Sequence, residues 1–141
     1  MSARLHPPID RYFAEILNGG DFSAAPEILA PGFRFYGPTY PEGRDAQGLH
    51  EFLSLLRQGF SDKRFAELDR LVDGDRAAVR FRMTGTHDGF FQGVPPTRRA
   101  TVVEGCDLIE MDSAGRIVSV RAYFDLLTLL SQLGVIPQGF R

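Results

Sequence analysis

The chain has no tryptophan, one cysteine and one lysine, and each scarcity excludes something. A lone thiol, Cys106, cannot close an internal disulfide, which suits a reducing compartment. With Lys63 the only lysine, no glycine-rich loop carries the ammonium group of a phosphate cradle. Histidines, cysteine and carboxylates show no metal-ligand spacing, so no metal is expected. A basic excess is missing too: the formal net charge is −2, which argues against a nucleic-acid partner. No apolar run approaches the ~20 residues that span a bilayer. The first ten residues hold His6, Pro7, Pro8 and Asp10 where a secretory signal would be apolar. No membrane partner and a cytoplasmic location are therefore expected.

What remains is ordinary in proportion. The 141 residues are 43% hydrophobic and 24% charged, the size and balance of one domain over residues 1–141. Twelve phenylalanines supply the large core side chains. Pro7 and Pro8 suit a helix start, and Ile9, Phe13, Ile16 and Leu17 follow at helical spacing until Asn18-Gly19-Gly20. A short helix is expected over 21–29, a strand over 33–36 and a loop over 37–43. Residues 45–60 form the longest helix, with Leu49, Phe52, Leu53, Leu56 and Phe60 on one stripe. Strands follow over 64–73, 77–86, 99–111 and 116–124, and a last helix over 126–133 ends at Gly134. Strands grouped after helices indicate α+β: a mostly antiparallel curved sheet, cone-shaped, with three helices of the N-terminal half over its concave face. A pocket lies between them.

Alternation then sorts the faces. Ala77, Val79, Phe81, Met83 and His87 share one side of their strand, with Arg80 and Arg82 on the other. In the last strand Val118, Val120, Ala122 and Phe124 share the apolar side, opposite Arg121 and Tyr123. The strand from Arg99 is mixed on both faces, and a bulge at Gly105 would reset its count. If Glu104 faces inward, burial raises its pKa and makes it a general base, and Cys106 and Leu108 join the pocket lining. If it faces outward, it pairs with a surface arginine. Tyr36 completes the expected lining with Phe81, Met83, Val120, Ala122 and Phe124. Asp107 is expected on the outer face with Arg80, Arg82 and Arg121, and that charged face suggests a homodimer.

The stretch Gly85-Thr86-His87-Asp88-Gly89-Phe90-Phe91-Gln92-Gly93-Val94-Pro95-Pro96-Thr97 resembles the hallmark loop of SnoaL-like polyketide cyclases, a family of the nuclear transport factor 2-like superfamily. Tyr123 to Gly134 is similar to the family's ending, and Asn18 to Phe22 is similar in kind to its start. The resemblance implies a cone-shaped α+β domain (a cystatin-like α+β barrel), often dimeric and free of cofactors. It also implies a pocket carboxylate acting as acid and base in an intramolecular aldol closure. Where that branch often reads His-Trp-Asp in the last strand, this chain has Val120-Arg121-Ala122. Ala122 therefore stands at the place of the cyclase acid.

Two functional readings follow. In the first, the protein is an enzyme that cyclises or isomerises a small apolar carbonyl compound, with hydrolysis or dehydration as further possibilities. His87 moves the proton, since a histidine titrates near neutrality, and Glu104 or Asp125 is its partner. In the second, the chain binds a small ligand or assembles as a dimer without chemistry. Each named group also has a structural reading: His87 orders its loop, and Asp125 caps the last helix.

Overall fold

A computed structural model of the protein describes residues 6–136. Its elements are α1 (Pro7–Arg11), a π-helix (Tyr12–Asn18), α2 (Ala25–Ile28), β1 (Leu29–Gly37), β2 (Tyr40–Arg44), α3 (Ala46–Gly59), β3 (Arg64–Asp73), β4 (Arg76–Thr86), β5 (Ala100–Met111), β6 (Ile117–Phe124) and α4 (Leu126–Gln132). The strands form one curved sheet in the order β2-β1-β6-β5-β4-β3. All neighbours are antiparallel except β1 and β6, which run parallel. The helices pack on its inner face, and the core lies between, as the grouping of strands after helices requires.

Local chemistry sets most boundaries. The Asp45 carboxylate accepts the Gly48 N–H at 2.9 Å and starts α3. Leu49, Leu53 and Leu56 then turn inward and are buried. The first helix does not stay α-helical. From Tyr12 it widens into π geometry, with the Gly19 N–H reaching back to the Ala14 carbonyl at 2.9 Å, five residues away. The wider turn keeps Tyr12, Phe13, Ile16 and Leu17 all buried on one side. Asn18 then fastens this end to β3, its side chain exchanging two hydrogen bonds with the Phe65 backbone.

Four sequence expectations need correction. The expected loop over 37–43 holds β2, a short, half-exposed edge strand. Pro41 and Gly43 hide it from any alternation count, yet an edge tolerates both. β1 starts earlier than expected, running through Pro31 and Gly32, because its pairing with β6 is irregular between Leu29 and Arg34 and needs no regular donor there. Val118 faces outward rather than inward, since pairing jumps from Glu110–Ser119 to Met111–Ile117 and leaves it as the extra residue of a bulge. Gly105, in contrast, carries no bulge: the β4–β5 register is unbroken from Arg76 to Thr86. A Cβ there would lie 2.6 Å from the Phe81 ring and 2.6 Å from the Tyr123 carbonyl, so only glycine lets these strands approach.

The unbroken register fixes the faces of β5. Thr101, Val103, Asp107, Ile109 and Met111 point into the core. Asp107, expected among the outer arginines, is therefore inside. On β4 the expected apolar face is the buried one, and Phe81 packs against Phe13 and Phe65. Phe81→Asp places a charge in this interior and should unfold the protein or lower its stability by roughly 3–5 kcal/mol. Leu71→Asp, on a side chain 78% exposed, should leave the melting curve nearly unchanged. Matching curves for the two variants would refute the face assignment.

Candidate active site

Beneath the inner face lies a narrow cavity of about 40 Å³, room for one or two water molecules. Phe52, Phe124 and Leu126 of its lining are half-exposed. Its walls are nearly all apolar. The polar exceptions are Tyr12, Thr39, Gln92 and Asp107, and only Tyr12 and Asp107 are buried, with 1% and 3% of their surface exposed.

Asp107 reaches this place by register. It pairs with Val79 of β4 on one side and with Ala122 of β6 on the other. Paired residues on antiparallel strands project to the same face. Asp107 and Ala122 therefore project side by side on the inner face. Burial, with no hydrogen bond from the described residues, pushes the Asp107 carboxyl up to about 8 from an ordinary 3.8. Near neutral pH it is mostly protonated but close to its titration point, the condition under which a side chain both gives and takes protons. The Tyr12 hydroxyl is raised well above its usual range, first by burial and then by the charge of Asp107.

The groups expected from sequence fall into three places. Phe81, Met83, Ala122 and Phe124 line the cavity, and Val120 is fully buried in the adjoining core. Glu104 is on the outer face. It bridges Arg80 at 3.3 Å and Arg82 at 2.8 Å, and the hydrogen bond from Arg82 holds its carboxyl below the usual range. Its reading as a pocket carboxylate is corrected, because β5 turns its even-numbered residues outward. For the same reason Cys106 is half-buried on that outer side and Leu108 is 44% exposed there. Tyr36 also faces outward, with the Arg121 guanidinium 3.9 Å over its ring. Asp125 is the N-cap of α4, accepting the Thr128 N–H at 3.0 Å and its hydroxyl at 2.6 Å. These bonds lower its pKa.

His87 is buried but does not line the cavity. Its Nδ1 accepts the Thr97 N–H at 3.1 Å, so the ring proton sits on Nε2. That atom has no hydrogen-bond partner among the described residues. The ring lies 5.3 Å from that of Phe60, and the backbone ties the loop's ends through His87 N–H to Arg99 and Arg98 N–H to His87. These contacts order the loop. Sequence reasoning missed Asp107 and Tyr12. An acid at an odd position of β5 was the available signal, but both faces of that strand are mixed. No cluster of three metal-ligating side chains exists among the described residues, and none of their helices is long and apolar enough to cross a membrane.

The model of the SnoaL-like polyketide cyclase family matches residues 8–133. Among solved structures, IdmH from Streptomyces antibioticus, named as a candidate polyketide cyclase, is 30% identical, with 92% of this chain and 97% of that one covered and a TM-score of 0.79. A protein from Jannaschia sp. CCS1, named as a candidate SnoaL-like polyketide cyclase, is 26% identical over 93% and 92% of the two chains, also at 0.79. AclR from Streptomyces galilaeus, named as a candidate hydroxylase, shares the fold at 22% identity, over 98% of this chain and 89% of that one, with a TM-score of 0.81. No curated protein matches the chain.

The raised pKa of Asp107 has a consequence for stability. A folded-state value near 8 against 3.8 unfolded means that the native state holds a proton the unfolded chain has released. The stability this contributes is complete below about pH 4 and is lost as pH rises through 8, amounting to a few kcal/mol at about that point. Asp107→Asn should flatten this slope and melt above the parent at pH 8. Equal slopes in thermal melts from pH 4.5 to 8.5 would place the carboxylate in a solvated site instead.

Proposed function

The chain belongs to the SnoaL-like polyketide cyclase family, and we propose that it is a cofactor-free acid–base enzyme acting on a small, apolar, carbonyl-bearing molecule within one domain. The observation that carries this reading is Asp107, a buried carboxyl poised near neutrality in the wall of an apolar cavity. Likeness to IdmH and the Jannaschia protein favours a carbonyl substrate and ring closure or isomerisation.

In an aldol closure, the carboxylate form of Asp107 takes a proton from the carbon beside a carbonyl. The enolate carbon attacks a second carbonyl of the same molecule, forming the ring bond as that C=O π bond opens. The carboxyl then returns its proton to the new alkoxide, so the proton count closes on one side chain. Tyr12, kept neutral by burial and by the neighbouring charge, donates a hydrogen bond to the enolate oxygen. The apolar walls strengthen both interactions by excluding water. His87 holds the loop, and Glu104 and Asp125 take no part.

We further propose a homodimer through the outer sheet face. Arg80 bridges Asp69 at 3.1 Å as well as Glu104, so the expected arginine patch carries its own acids. Exposed Val102, Leu108 and Tyr123 supply apolar area beside it.

The chemistry is testable without the natural substrate. 2-Tetralone in D₂O, followed by proton NMR, should exchange its α-hydrogens faster with the protein than with buffer. Asp107→Asn should remove about 10²–10⁴ of the catalysed rate, Tyr12→Phe a smaller part, and His50→Ala almost none. Uncatalysed exchange in the parent would leave a ligand-binding module in place of the enzyme, and full exchange in Asp107→Asn would take the role of base away from Asp107. For assembly, light scattering at micromolar concentration should give twice the chain mass, and Leu108→Asp should halve it. A monomeric parent would remove the dimer.

A further inference from the structure

The loop between β4 and β5 carries a strained turn at the cavity mouth. Phe91 and Val94 form an isolated antiparallel bridge, with Phe91 N–H to the Val94 carbonyl at 3.1 Å and the reverse bond at 2.8 Å. The two residues between them both have left-handed backbones, Gln92 at φ 52° and Gly93 at φ 77°. That is the signature of a type I′ turn, whose first central position suits Asn, Asp or Gly. Gln92 therefore occupies it against its own backbone preference. The turn is not loosely held. Phe91 is buried and meets Phe60 edge-on at 5.2 Å, and Asp88 and Gly89 both donate to the Gly59 carbonyl at the end of α3.

What the strain positions is an amide. Gln92 is exposed yet lines the cavity, and its carboxamide makes no hydrogen bond among the described residues. The hydrophobic turn residue before it, Phe91, is buried in the core and anchors the turn. Asp107 and Tyr12 are the buried polar groups of the same cavity, and Gln92 and Thr39 are its exposed ones. The polar groups of the apolar lining thus divide into a buried pair and an exposed pair.

We propose that Gln92 is a specificity residue whose carboxamide hydrogen-bonds an oxygen on the outward end of the ligand, while the ligand's inner oxygen meets Asp107 and Tyr12. The proposal rests on the cavity being the ligand site, and it adds a requirement: the substrate carries one oxygen at its inner end and another at its outer end, with an apolar middle between. A backbone conformation disfavoured for glutamine is kept at a residue that lines the cavity, the pattern of strain retained for function.

Two probes test it by fluorescence titration: 2,6-dihydroxynaphthalene, with oxygens at opposite ends, and 2-naphthol, with one. The parent should bind the diol roughly 3–10-fold more tightly, the worth of one hydrogen bond. Gln92→Leu should bind the two alike while keeping its 2-naphthol affinity. Gln92→Asn should melt higher, since asparagine accepts the left-handed turn, and should lose most of the preference because its amide is one methylene shorter. That combination of greater stability and weaker discrimination does not arise from a purely structural residue. An unchanged preference in Gln92→Leu, or in a Gln92→Asn that melts no higher, overturns the proposal and leaves the cavity reading intact. If Asp107→Asn alters neither affinity, or if neither probe binds the parent, the cavity reading fails and this proposal with it.

Discussion

A carboxyl group taken out of water must be paired, hydrogen-bonded or neutral. Asp107 follows the third course. It sits in a phenylalanine- and leucine-rich interior without a partner among the described residues, and it stays protonated through neutral pH. Much of the surrounding architecture serves that placement. The continuous β4–β5 register turns it inward, and Gly105 lets the strands close around the Phe81 ring. Tyr12, at the start of the π-helix, lines the same cavity. A native state that holds an extra proton spends stability as the solution becomes alkaline, and it gains a titratable group in a dry site where its field is strong.

The same inner face sets Asp107 beside Ala122. Ala122 takes a position where the resemblance implies an acid, and its direct cross-strand neighbour is Asp107. Directly paired residues of an antiparallel pair project to the same side, so carboxylates on neighbouring strands at paired positions reach the same space. Their direction of approach differs, and with it the part of a ligand each would meet.

The outer face is governed by the opposite physics. Arg80, Arg82, Glu104 and Asp69 are each about half exposed or more and bridge one another. Solvent-screened pairs of this kind contribute little to stability. Their influence is on what the face can meet, since they neutralise one another and leave Leu108, Val102 and Tyr123 as the distinctive features beside them.

Hydrophobic spacing and turn residues were enough to read the α+β class, α3 with its apolar stripe, the long strands and the inward face of β4, because each of these signals is local. The Asp125 cap was legible for the same reason: an acid directly before an apolar run leaves its carboxylate little else to do than accept the first free N–H groups. β2 was not legible, since an edge strand holding Pro41 and Gly43 carries no alternation and exists only because β1 lies beside it. Nor was the orientation of β5. Each face of that strand carries both acidic and apolar residues, so nothing within it says which carboxyl goes inside. Pairing with β4 decides it, and one residue of slip would have exchanged Asp107 for Glu104. The sequence by itself therefore determined the layers and the apolar cavity, and tertiary pairing alone decided which acid that cavity contains.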